Sequence, residues 1–119
     1  MSWEVQRKFP RVNVVVQAEV RRSLDNFPRR VQTTNMSEGG CYIEMLTTLE
    51  PFTRIDVVLW LNGEKVSARA EVVTNQPHLG NGIKFIQIKE ADKQKLRDFM
   101  ESAKKNRSFL SRTASSTNE

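Results

Sequence analysis

Arg54-Ile55-Asp56-Val57-Val58-Leu59-Trp60-Leu61-Asn62-Gly63-Glu64-Lys65-Val66-Ser67-Ala68-Arg69-Ala70-Glu71-Val72-Val73-Thr74 is the stretch that decides the fold class. Asn62-Gly63 divides it into two arms. Both of those positions accept the positive φ that a tight two-residue hairpin turn requires. In the second arm Val66, Ala68, Ala70 and Val72 alternate with Lys65, Ser67, Arg69 and Glu71. That is the period of a strand with one dry face and one wet face. Residues 54–61 and 65–74 are therefore read as an antiparallel pair, with Trp60 on the face opposite Leu59 and Leu61.

The same period continues on both sides. Upstream, Val12, Val14, Val16, Ala18 and Val20 alternate with more polar positions, which predicts a half-buried strand over 12–22. Leu24 to Pro28 reads as a turn centred on Asp25-Asn26. Val31 to Thr34 is a β-branched run leading into a turn at Asn35, and Gly40 opens a strand carrying Cys41, Ile43 and Met45 on one face. Downstream, Pro77, Gly80 and Gly82 mark 76–82 as a loop before a last strand over 83–88. The period then changes. Leu96, Phe99, Met100 and Ala103 lie at helical spacing, so residues near 90–105 are predicted to form an amphipathic helix covering part of the sheet. Short strands joined by tight turns predict an all-β domain, an antiparallel sheet or small barrel, with one C-terminal helix. The boundaries expected are a basic arm over 1–11, a domain over 5–105 and a flexible tail over 106–119.

The chain has 119 residues, 28% charged and 38% hydrophobic, enough for one domain with one modest core. Its apolar runs are too short to span a bilayer. No signal peptide is recognisable at Met1-Ser2-Trp3-Glu4. One cysteine, Cys41, excludes an internal disulfide framework, and a reducing cytoplasm is the expected compartment. With one cysteine and one histidine, His78, no zinc site assembles at usual spacing, and no metal is expected. No loop of the phosphate-cradling type, nucleophile elbow or paired catalytic carboxylate is present, so no catalytic residue is named and an enzyme is not expected. Cys41 is read as a core residue and His78 as a solvated loop residue. Net charge of +5 favours an anionic partner: nucleotide, nucleic acid, phospholipid or an acidic protein face.

Two short strings carry the chemistry. Arg7-Lys8-Phe9-Pro10-Arg11 is R-x-x-x-R directly before the first strand. Its two guanidinium groups match the O6/N7 edge of guanine and the oxygens of phosphate, and their flat faces stack on purines. A straight arm would hold the two heads about 13 Å apart, so a shared compact ligand needs a curl around Pro10. Lys8 is a helper for phosphate. Asn35-Met36-Ser37-Glu38-Gly39-Gly40 is N-x-S-x-x-G between the second and third strands. Asn and Ser side chains can cap the backbone of their own turn. Gly39 and Gly40 permit positive φ and the close approach of a ligand, and successive N–H groups there can form an anion-binding nest. Taken alone, either string also fits a solvated basic arm or an ordinary β-turn.

In this order, and with Gly82-Ile83-Lys84-Phe85 at the last strand and a helix after it, these strings resemble the PilZ domain family over residues 5–103. The resemblance implies a six-stranded antiparallel β-barrel with a C-terminal helix. It implies a bacterial receptor for cyclic di-GMP, with no other cofactor, in which Arg7 and Arg11 bind guanine and phosphate groups. Asn35, Ser37 and Gly40 would face the ligand from the second string, with Gly39 beside them. The family pattern admits Asp or Asn at position 35. Gln6 stands where many members carry a further arginine. The implied action is a change in the N-terminal arm on binding, passed to an unidentified effector protein in motility, biofilm or exopolysaccharide control. No membrane insertion is expected. Two rival readings are a small basic barrel for single-stranded nucleic acid and a PilZ-like adaptor that does not bind the nucleotide. The strands lack the outward row of aromatics that base stacking needs, so nucleic acid is not the expected partner.

Overall fold

The computed structural model describes residues 10–117, with side chains over residues 10–105. Six strands follow one another: β1 (Val12–Arg21), β2 (Arg29–Met36), β3 (Gly40–Glu44), β4 (Arg54–Leu61), β5 (Glu64–Gln76) and β6 (Gly80–Ile88). A helix, α1 (Glu90–Thr117), follows β6. The strands close into an antiparallel barrel in the order β1-β2-β3-β6-β5-β4.

The hairpin that decided the fold class is built as its sequence requires. Asn62 (φ 53°) and Gly63 (φ 82°) make the turn, and Leu61 pairs with Glu64 across it. Ile55, Val57, Leu59 and Leu61 from β4, and Val66, Ala68, Ala70 and Val72 from β5, point inward and are buried. Each large aliphatic side chain removed from water in this way contributes about 1.5–3 kcal/mol.

The two ends of the barrel are closed differently. In the barrel order β3 and β4 stand on opposite walls, so the segment joining them crosses one mouth. Met45 and Leu49 of that crossover are buried and plug the mouth. Asn81 on β6, itself fully buried, accepts from Leu49 N at 2.9 Å and donates to Leu49 O at 2.8 Å. Its polar atoms are thereby paired in the dry interior, as buried amides must be. The other mouth is covered by α1. Leu96 and Met100 are buried there, with Phe99 and Ala103 partly buried beside them. Glu90 and Asp92 lie in the first turn, where carboxylates favour the helix dipole. Asp92 accepts from Ser67 N at 3.3 Å and pins that turn to β5.

Several boundaries differ from the sequence reading, for physical reasons. β5 runs on to Gln76 and β6 begins at Gly80, so the expected 76–82 loop shrinks to residues 77–79. The glycines there are strand residues at close contacts. A Cβ at Gly82 would sit 2.6 Å from Thr74 Oγ1, and one at Gly80 would collide with the Ile43 carbonyl oxygen. β2 extends through Asn35 and Met36, so the turn after it holds only residues 37–39. α1 continues past 105 to Thr117. Its apolar stripe ends at Ala103, but no proline or glycine follows to stop the helix.

Candidate functional site

Arg11 enters β1 from the N-terminal side, and Asn35 lies near the end of β2. Register places Asn35 opposite Asn13 of β1 and Tyr42 of β3. The ladder is irregular on both sides of this point, between Asn13 and Val16 and between Thr33 and Asn35. Such bulges re-aim side chains beside functional sites. The Arg11 guanidinium Nη1 donates to Asn35 Oδ1 at 2.7 Å in a half-buried contact. The two strings, 24 residues apart, therefore meet side chain to side chain.

The turn after β2 is held internally. Ser37 N donates to Gly40 O at 2.8 Å, Ser37 Oγ donates to Gly40 O at 3.3 Å, and Gly39 N donates to Ser37 Oγ at 3.1 Å. Ser37 is buried, and its hydroxyl serves the turn. This changes two expectations. The Ser37 and Gly39 N–H groups are engaged within the turn, so they do not form the open nest that the sequence allows. Among the described residues Gly63 is the one glycine with positive φ, so Gly39 and Gly40 do not need it. What Gly40 needs is space: a Cβ there would collide with the Ile83 carbonyl oxygen and lie 3.0 Å from Lys84 Cα. The close approach is by the β6 backbone, which also anchors the turn through Phe85 N donating to Gly39 O at 2.9 Å.

Two residues that the sequence reading passed over tie this turn to the helix. Arg97 Nε lies 3.4 Å from Glu38 Oε1, and Arg97 Nη1 lies 3.9 Å from Glu90 Oε2. Glu38 is an unassigned position inside N-x-S-x-x-G. Arg97 lies outside the apolar stripe, so helical spacing alone does not mark it. Cys41, paired with Met36 across β2 and β3, is fully buried, as a core residue should be. Burial pushes its thiol up to about 12, with the nearby Arg11 charge acting in the opposite direction. A thiol so far from ionising is inert as a nucleophile at neutral pH. His78 is exposed in the β5–β6 loop at φ 66°. Arg7, Lys8 and Trp3 lie outside the described residues.

A closed six-stranded antiparallel barrel, capped by a helix and carrying an arginine-bearing entry to β1 against an N-x-S-x-x-G turn, defines a class of small helix-capped β-barrel domain. Residues 5–102 match the PilZ domain family, and the chain belongs to it. No curated protein sequence matches. Solved structures do. One is YcgR from Escherichia coli in complex with c-di-GMP, with TM-score 0.76 and 12% identity, covering 92% of this chain and 50% of that one. Another is the Bacillus subtilis inhibitor of motility, MotI/DgrA, with TM-score 0.71 and 16% identity, covering 85% of this chain and 52% of that one. The PilZ domain of E. coli YcgR with c-di-GMP has TM-score 0.70 and 12% identity, and the match covers 89% of this chain and 97% of that domain. The chain thus spans about half the length of the first two proteins. At these identities the likeness is one of fold.

Proposed function

We propose that this chain is a receptor for cyclic di-GMP, bound where the R-x-x-x-R arm meets the N-x-S-x-x-G turn. The observation that carries the reading is the Arg11–Asn35 hydrogen bond, which brings one residue of each string to one place. Membership of the PilZ domain family and fold neighbours solved with c-di-GMP support the choice of ligand.

In this reading Arg7 and Arg11 hold guanine and phosphate groups, with Lys8 adding charge. Asn35 keeps Arg11 oriented. Ser37, Gly39 and Gly40 shape the wall of the site, Ser37 through the turn it closes. The ligand brings two phosphate charges and two guanines to the cationic arm of a basic protein, so charge-assisted hydrogen bonds and stacking draw residues 1–11 against the barrel. The repositioned arm then makes or hides a surface for an effector protein, in motility, biofilm or exopolysaccharide control.

Calorimetric titration with cyclic di-GMP, against GTP and an unrelated oligonucleotide, tests this. Binding is expected in the micromolar to submicromolar range, about −8 to −10 kcal/mol, because arm ordering consumes part of the gross contact energy. Arg7→Ala and Arg11→Ala should each weaken it strongly. Absence of binding at protein concentrations well above this range rejects the receptor. Preference for the oligonucleotide moves the chain to the nucleic-acid class.

A further inference from the structure

The segment Arg21-Arg22-Ser23-Leu24-Asp25-Asn26-Phe27-Pro28-Arg29-Arg30 has no part in the site above. It joins β1 to β2 at the mouth opposite the Arg11–Asn35 contact. Val20 pairs with Arg29 at that end, and Val12 pairs with Met36 at the other. Two arginines stand at each base of the loop, with two large apolar residues at its tip. Leu24 is 94% exposed and Phe27 is 79% exposed. Neither contributes to the core, so folding gives no reason for them.

The loop is held in shape by its own hydrogen bonds. Asp25 accepts from Arg22 N at 2.8 Å and from Arg22 Nη2 at 2.9 Å, while Asp25 O accepts from Arg21 Nη1 at 2.9 Å. Arg29 Nη1 donates to Thr47 O at 3.4 Å and ties the loop to the crossover that plugs this mouth. That crossover presents Leu46 and Phe52, each 80% exposed, with Phe52 at φ 72°. A bulky side chain at positive φ is a strained arrangement, and here it places an aromatic ring in water.

Charge selects the occupant. Within residues 21–30 four arginines face one carboxylate, Asp25, and that one is paired with Arg22. Arg21 and Arg29 donate to backbone carbonyls, and these bonds do not neutralise them. Asp56 stands opposite Arg21 in register but is paired with Arg69, and Asp25, which feels Arg29, is bonded to Arg22. Glu19 lies 3.9 Å from Arg30, and Glu44 and Glu50 belong to β3 and the crossover. Apolar tips on separate loops above a collar of arginines suit a fluid anionic surface. Lipid tails accept tips at any spacing, whereas a protein partner needs a pocket for each. We propose that this loop, with the crossover beside it, docks on an anionic phospholipid bilayer. Leu24 and Phe27 enter the headgroup–acyl boundary, and the arginines meet lipid phosphates. Among the described residues no helix is long and apolar enough to cross a membrane, so this contact is peripheral. It adds a surface contact to the sequence expectation of no membrane insertion.

The test is cosedimentation of the full chain with vesicles of phosphatidylcholine alone and of phosphatidylcholine mixed with phosphatidylglycerol. Binding is expected only with the anionic lipid, and it should weaken as salt screens the charges. A Leu24→Ser, Phe27→Ser double variant should lose roughly tenfold or more in vesicle affinity, since two apolar side chains no longer leave water. Arg29→Gln with Arg30→Gln should lose a similar amount. Both variants should retain the melting temperature and the cyclic di-GMP affinity of the parent, because these side chains lie outside the core and at the far mouth. Failure to bind anionic vesicles at low salt overturns the proposal. So does vesicle binding that ignores Leu24 and Phe27, or retention by an oligonucleotide or an acidic protein in place of lipid.

Discussion

Gly40 and Ser37 sit three residues apart in one turn, yet they answer to different forces. Gly40 is constrained by steric exclusion: the β6 backbone occupies the space a side chain would fill. Gly40→Val should therefore separate β3 from β6 and destabilise the barrel by about 3 kcal/mol or more, the range of severe overpacking. Ligand affinity should fall with it. Ser37→Ala removes one hydroxyl that accepts from Gly39 N and donates to Gly40 O. Its cost should be about 1 kcal/mol, the net worth of a typical intramolecular hydrogen bond, with a modest loss of affinity through a looser turn. Chemical denaturation of the two variants checks both values. A Gly40→Val protein as stable as the parent would mean that β6 does not approach the turn as described.

At the scale of elements, α1 and the N-x-S-x-x-G turn are joined by one ion pair, Arg97–Glu38 at 3.4 Å, with both side chains about a third or more exposed. Exposed pairs of this kind contribute about 0.2–1 kcal/mol. Arg97→Gln and Glu38→Gln should each lower stability by no more than that, and the double variant by less than their sum. Hydrogen exchange gives the sharper readout. Amides in the first turns of α1 should exchange faster in either variant, because the helix loses its tie to the turn while Leu96 and Met100 still hold its apolar face. Unchanged exchange in α1 would show that packing alone holds the helix.

For the molecule as a whole, the two mouths of the barrel are built differently. One carries Arg11, Asn35 and the turn of residues 37–39, with α1 over it. The other is plugged by Met45 and Leu49 and presents the arginine-collared loop. If cyclic di-GMP draws the arm onto the first mouth, amide exchange across residues 3–11 should slow when ligand is added, and Trp3 should report the event by fluorescence. Residues 12–21 should change less, since β1 is already paired on both sides, to β2 and β4. Equal protection of the arm with and without saturating ligand would mean a preformed pocket and would end the proposed route from binding to partner.

What the sequence determined by itself is the part of the protein that depends on chain neighbours. Alternation of Val66, Ala68, Ala70 and Val72 with polar residues specifies a strand face wherever that strand ends up, and Asn62-Gly63 specifies its own turn. The two strings with arginine and N-x-S-x-x-G were legible for the same reason: each is a local run of chemistry. Tertiary structure alone decided what each glycine is for. Gly80 and Gly82 read as loop residues, yet they are strand residues because the Ile43 carbonyl and the Thr74 hydroxyl lie against them. It alone decided that Asn35 belongs to β2 and accepts from Arg11, and that Glu38 meets Arg97, 59 residues away. It also set Leu24 and Phe27 in water at the mouth remote from the ligand strings. Some of these facts, such as Gly80 against Ile43, depend on closure of the barrel, when the last strand pairs with the third. Others, such as Arg11 on Asn35 and Gly82 against Thr74, depend on the register of neighbouring strands, and no local period or motif encodes either.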